Sequence, residues 1–121
     1  MRRAGRLAVL VATAAVAVGC AAGIPQLNAR PTKYYQETVS FVGRVSRMQE
    51  FPGEVLLEVA DAQEHRILVR AATPLDVHGD DWVKVSGVLV PEALVGGKTI
   101  YDVVQAESVT PTRAPWLRNL F

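Results

Sequence analysis

The chain predicts an all-β domain, a small five-stranded barrel that follows a cleavable leader and a flexible tether. Three observations predict it. Between Thr38 and Thr110, valine, leucine and isoleucine recur at alternate positions, the period of half-buried strands. Turn chemistry such as Phe51-Pro52-Gly53-Glu54 and Gly79-Asp80-Asp81 interrupts those runs. Glycines stand inside the first and fourth runs, at Gly43 and Gly87, where a strand has to bend for a barrel to close. At 121 residues the chain holds one domain at most.

Residues 1–19 read as an export signal. Arg2, Arg3 and Arg6 form a positive start, and Leu7 to Val18 is a run of apolar and small residues. Those 12 positions fall short of the roughly 20 needed to span a bilayer as a helix. The residues after Arg2-Arg3 do not continue a twin-arginine pattern, which leaves general secretion. The run ends in Ala17-Val18-Gly19-Cys20, which resembles the lipobox of bacterial lipoproteins, with Ala17 where leucine is usual.

That resemblance implies cleavage before Cys20 and transfer of a diacylglycerol to its thiol. A thiolate is a far better nucleophile for such a transfer than a hydroxyl. Cys20 is the only cysteine, so no disulfide framework is available in an oxidising compartment. The alternative is an ordinary signal peptide cut near Ala21 or Ala22. Two or three acyl chains would hold the protein firmly on a membrane. Ala21, rather than aspartate, follows the cysteine, which favours the outer membrane, facing the periplasm, in a Gram-negative cell.

Residues 20–37 read as the lipidated cysteine and its tether, containing Gly23, Pro25, Asn28 and Pro31 and no sustained period. Tyr34 and Tyr35 close it, either packing on the domain or facing a partner. The barrel is expected over residues 38–110. Val39, Phe41 and Val45 mark strand one, and Val55, Leu57 and Val59 strand two. Strand three runs from His65 to Arg70, with Ile67 and Val69 inward and Arg66, Leu68 and Arg70 outward. The connection around Thr73 to Val77 has room for a single helical turn. Strand four follows Gly79-Asp80-Asp81 with Val83, Val85 and Leu89 on one face. Pro91 to Lys98 reads as a hairpin loop, the largest and most mobile of the set. Strand five, Thr99 to about Val109, alternates ambiguously, which a bulge or burial on both faces would explain.

Residues 111–121 form an apolar tail whose Trp116, Leu117 and Phe121 dock on the barrel, on a membrane surface or on a partner. Pro115 to Phe121 is too short for a stable isolated helix.

Five short strands, a glycine-bent first strand and a Gly-Asp-x-Val-x-Val-x-Gly-like fourth strand (Gly79 to Gly87, with one extra residue before the valines) resemble an OB-fold barrel. The resemblance covers roughly residues 38–110. It implies a fold and no single function, because such barrels host many ligands. The absence of a real helix between strands three and four leaves one barrel end to be plugged by the tail or the tether. A lipobox ahead of such a domain is also similar in layout to Slp-type outer-membrane lipoproteins.

Charge narrows the function classes. The chain has 13 Lys and Arg against 12 Asp and Glu, and the leader removes three arginines and no acid. The remainder carries a formal charge of −2, without the basic footprint of a nucleic-acid binder, and no nucleic-acid partner is expected. Arg44, Arg47, Arg66 and Arg70 form a strip that Glu54, Glu58 and Glu64 neutralise through cross-strand pairs.

No catalytic set is expected, since the one cysteine is assigned to the anchor and no serine motif surrounds His65 or His78. His78, Asp80 and Asp81 read as a solvated turn rather than a metal site, and no metal or cofactor is assigned. No histidine follows His78, so the residue a haem chaperone of this fold would use is missing. The expectation is a non-catalytic, membrane-anchored binding or assembly module. It would act through protein or envelope contacts at Tyr34, Tyr35, Leu94, Trp116, Leu117 and Phe121. The alternative is an OB-fold receptor for an oligosaccharide, nucleic acid, small ligand or metal.

Overall fold

The computed structural model describes residues 22–116. Five strands form a closed barrel: β1 (Thr38–Phe51), β2 (Glu54–Ala60), β3 (Arg66–Ala72), β4 (Trp82–Val95) and β5 (Lys98–Pro111). Their order around the barrel is β1-β2-β3-β5-β4, with β4 returning to β1. Every pairing is antiparallel except β3 with β5. No helix among the described residues is long and apolar enough to cross a membrane.

The interior is filled by the alternating side of each strand. Val39, Phe41 and Val45 come from β1, Val55, Leu57 and Val59 from β2, and Ile67 and Val69 from β3. Val83, Val85 and Leu89 of β4 and Val104 and Val109 of β5 complete it. Val104 and Val109 have opposite parity, yet both face inward. The register explains this: Ser86 pairs with Ser108 but Gly87 with Ala106, so Glu107 is an extra residue that shifts the alternation by one. A second bulge at Ser46 of β1 turns Arg47 and Gln49 outward and lets Met48 pack against the core.

Gly87 sits at the β5 bulge for a steric reason. A Cβ there would stand 2.8 Å from the Ala106 Cα and 2.9 Å from the Gln105 carbonyl carbon, both backbone atoms.

Three segments depart from the sequence expectation. Pro91 to Lys98 is not a loop. β4 runs on to Val95, pairing Glu92 with Tyr101, Ala93 with Ile100, Leu94 with Thr99 and Val95 with Lys98. Only Gly96-Gly97 turns the chain, with φ of 57° and 82° as a tight hairpin requires. Pro91 is tolerated because the ladder skips it and its opposite residue Asp102.

The supposed tether is the second departure. It folds as α1 (Ile24–Ala29) and α2 (Pro31–Tyr34). Pro25 pre-sets the first turn, and Ile24 and Leu27, three apart, share one face. Both are 1% exposed and belong to the core cluster. Asn28 Nδ2 donates to the Arg66 carbonyl (2.8 Å), tying α1 to the start of β3. A helix of six residues has no stability of its own, so burial against the barrel holds it. One barrel end is therefore plugged by the segment that precedes β1.

Third, residues 73–81 contain no helical turn; the connection instead delivers buried Val77 to the core. The tail's beginning docks on its own domain. Ala114 is buried, and the Trp116 ring stands edge-on to Trp82, centroids 5.3 Å apart at 90°. Leu117 and Phe121 lie outside the described residues, as does Cys20.

Candidate binding face of the barrel

The outward positions of β1, β2 and β3 form a surface with two characters. Its floor is apolar: Leu56 of β2 and Leu68 of β3 point away from the core and are half-buried. They are diagonal neighbours, since Leu56 pairs with Arg70 and Leu68 with Glu58. Its walls are polar. An open groove of about 490 Å³ is lined by Arg47, Met48, Gln49, Leu56, Leu57, Glu58 and Leu68. A second groove of about 210 Å³ shares Glu58 and Leu68 and continues to Asn28, Arg66, Tyr101 and Asp102. The two make one trough from β1 across to β5.

Most of the charges along the trough are paired, as the diagonal spacing allows, Arg47 on the β1 wall being the exception among the described residues. Arg66 NH1 donates to Glu58 Oε1 (2.8 Å) and its NH2 to Glu64 Oε1 (3.0 Å). Arg70 Nε donates to Glu54 Oε1 (2.7 Å) and its NH1 to Gln105 Oε1 (2.9 Å). Arg44 reaches Glu64 at 3.1 Å. Burial pushes the Glu58 carboxyl up, but hydrogen bonds from Ser46 and Arg66 with the nearby Arg47 charge outweigh it and hold it below the ordinary value. The Glu58 hydrogen bond in turn raises Arg66. The strip is largely a lattice of Arg–Glu pairs around an apolar floor, and among the described residues Arg47 is the strip's one arginine outside those pairs.

Glu54 also fastens the β4–β5 hairpin. Gly96 N–H donates to Glu54 Oε2 (3.1 Å), and the Phe51 ring lies over Gly96. The Gly96 hydrogen bond first, and Arg70 second, hold the Glu54 carboxyl below its ordinary value of 4.5. A group depressed on folding contributes stability above its unfolded value, and that stability is lost as pH falls through the folded value. Urea unfolding of the protein and of Glu54→Gln is therefore expected to differ at neutral pH and to converge below pH 4.5. A difference that stays constant across that range would show that ionised Glu54 does not hold the hairpin.

The positions named from sequence fall in separate places. Tyr34 and Tyr35 are half-buried against the core cluster, with Lys33 Nζ 5.6 Å from the Tyr34 ring centroid. The Tyr35 hydroxyl donates to Asp102, which raises its pKa. Leu94 is 67% exposed on the hairpin and Trp116 57% exposed near the start of β4. The structure does not gather these residues into one site. Tyr101, 65% exposed, and the floor residues Leu56 and Leu68 were not named as site residues. The usable signal was Leu68 at an outward position between two arginines, an apolar side chain where a solvated sheet face has no need of one.

The histidines behave as turn residues. Asp81 Oδ2 accepts from the His78 N–H (2.9 Å), while the Asp80 carboxylate turns to Arg44 (3.4 Å). Among the described residues no three His, Cys, Asp or Glu side chains stand together as metal ligands would.

No protein-family model matches the sequence. No curated protein matches it either. Solved structures do match the backbone. A structure of an aspartyl-tRNA synthetase from Leishmania major Friedlin aligns over 79% of this chain and 22% of its own, with a TM-score of 0.57 and 14% identity. The barrel is OB-like. A replication protein A heterotrimer bound to single-stranded DNA aligns over 63% of this chain and 57% of its own (TM-score 0.47, 17% identity). An asparaginyl-tRNA synthetase from Pyrococcus horikoshii aligns over 68% and 21% (TM-score 0.49, 16% identity). The chain thus spans less than two thirds of each of these proteins, 57% of one and about a fifth of the other two. At such identities the OB-like likeness is one of fold alone.

Proposed function

We propose that the protein is a non-catalytic binding module, anchored in a bacterial cell envelope through lipidated Cys20, that holds a protein or envelope polymer on the outer face of its OB-like barrel. The observation that carries this reading is the trough floored by Leu56 and Leu68. Apolar side chains left half-open on a sheet face, bordered by Arg–Glu pairs, suit a partner that covers them. The lipobox-like Ala17-Val18-Gly19-Cys20 supports the anchor. Ala21 after the cysteine supports the periplasmic side of an outer membrane where the cell has one. The paired Arg–Glu lattice speaks against a nucleic-acid ligand.

Photo-crosslinking in intact cells tests it. A crosslinking side chain at Leu68 is expected to give one discrete adduct that the same group at Lys84, on β4 outside the trough, does not give. With the crosslinker kept at position 68, Leu56→Glu is expected to weaken that adduct at least about tenfold, the effect of losing a buried apolar anchor. Equal labelling from both positions would sink the assignment of this face.

A further inference from the structure

Resting on the anchored reading, we propose that the α1 end of the barrel lies against the bilayer surface, with the β4–β5 hairpin held at the far end. The argument is one of chain length. The stretch that reads as a long flexible tether is mostly folded, since Ile24 is 1% exposed in the core. Only Ala21, Ala22 and Gly23 separate Cys20 from it. Four residue steps reach at most about 14 Å when fully extended. An acylated Cys20 therefore keeps α1 within that distance of the lipid headgroups.

The topology then orients the rest. Asn28 of α1 is bonded to Arg66, at the end of β3 that pairs with Ala60. The hairpin turn is bonded through Gly96 to Glu54, at the other end of β2. From Glu54 to Ala60 is six strand steps, about 20 Å. Charge favours the same placement: residues 22–36 carry Arg30 and Lys33 and no acid, and among the described residues no carboxylate pairs with either cation. Anionic headgroups attract such a segment only weakly, which assists the leash but does not replace it. Exposed Leu94, on the hairpin, is thereby presented away from the membrane.

The test uses the full, membrane-extracted protein in vesicles of phosphatidylethanolamine and phosphatidylglycerol. Acylation consumes the only native thiol, so a single introduced cysteine takes a fluorophore uniquely. Labels are placed at Gln26→Cys or Lys33→Cys for the α1 end and at Leu94→Cys for the hairpin, and a headgroup-tethered nitroxide lipid serves as quencher. Quenching is expected to be at least about threefold stronger at position 26 or 33 than at 94, given the separation along β2. Insertion of a Gly/Ser linker of about 20 residues between Ala21 and Ala22 is expected to erase the difference. Equal quenching in the unmodified protein, or a difference that survives the linker, would overturn the short leash. Mass spectrometry of the same sample separates the two failures. An acylated Cys20 with equal quenching refutes the orientation alone, and an unmodified Cys20 refutes the anchor and the orientation together.

Discussion

Leu27→Asp is expected to unfold the domain or leave it barely stable. Leu27 is 1% exposed at the barrel end, and nothing in the core around it is polar. Truncation alone, as in Leu27→Ala, typically costs about 2–5 kcal/mol. Aspartate adds an unpaired carboxylate in an apolar site, which either stays charged at high cost or takes up a proton. Against a usual total of about 5–15 kcal/mol, that is most of the margin. For a domain of this size the alanine variant should lower the melting temperature by about 4–8 °C per kcal/mol. A melt unchanged by Leu27→Asp would mean that residues 22–34 are a dispensable tether and that the barrel closes without them. The same result would remove the basis for a short leash.

Gly87→Val carries the second large effect. A Cβ at this position meets backbone atoms of Gln105 and Ala106, which cannot swing aside as a side chain can. Relief requires moving β5 at its bulge, where Ser86 and Gly87 already pair out of step with Ser108 and Ala106. Overpacking of this kind costs about 3 kcal/mol when backbone must shift, and the valine methyls add to it. Gly79→Ala is the matched control. A Cβ there meets no atom within 4 Å and the backbone is not left-handed, so its effect should stay within about 0.5 kcal/mol. Chemical denaturation of the two variants distinguishes the cases. Equal stabilities would show that the β4–β5 register can slip without cost.

Much of the fold was legible because period-two alternation is a direct record of a barrel wall. Val55-Leu57-Val59 and Ile67-Val69 needed only that reading, as did the outward Arg66 and Arg70 with their glutamate partners. The ambiguity in strand five was legible as an ambiguity, and Glu107 resolves it as a bulge. What failed was punctuation. Pro91 and Gly96-Gly97 together look like one long loop, but the proline falls where the ladder is skipped and the glycines make only the two-residue turn. The segment before β1 failed for a different reason. Ile24 and Leu27 have no periodic neighbours to announce a helix, and their structure comes from the cavity they fill, which lies far away in sequence.

The candidate face was only half legible. Its charges were read as paired, and Arg44, Arg66 and Arg70 are, while Arg47 reaches no carboxylate among the described residues. Its floor was passed over because Leu56 sits between two core-like residues in an apolar run, where the outward member looks like its neighbours. Exposed Leu94 and Trp116 drew attention as single large side chains, yet they lie apart, Leu94 on the hairpin and Trp116 against Trp82 at the start of β4.

The parallel contact between β3 and β5 has a kinetic consequence. The barrel divides into a meander, β1–β3, and a hairpin, β4–β5, each held by neighbours in sequence, and these must meet along two seams. One seam joins β1 to β4 over seven residue pairs, from Thr38 with Val88 to Arg44 with Trp82. The other has three: Leu68 with Val103, Val69 with Val104 and Arg70 with Gln105. Both demand closure of a long loop, but the second returns least for it. It is the zipper that shuts last and slips first. Val104→Ala should therefore speed unfolding while leaving the refolding rate within about twofold, and stopped-flow chevrons would reveal the opposite pattern if this seam instead nucleates the fold. Amides of β3 on the β5 side would then exchange with solvent by local opening, ahead of those shared with β2.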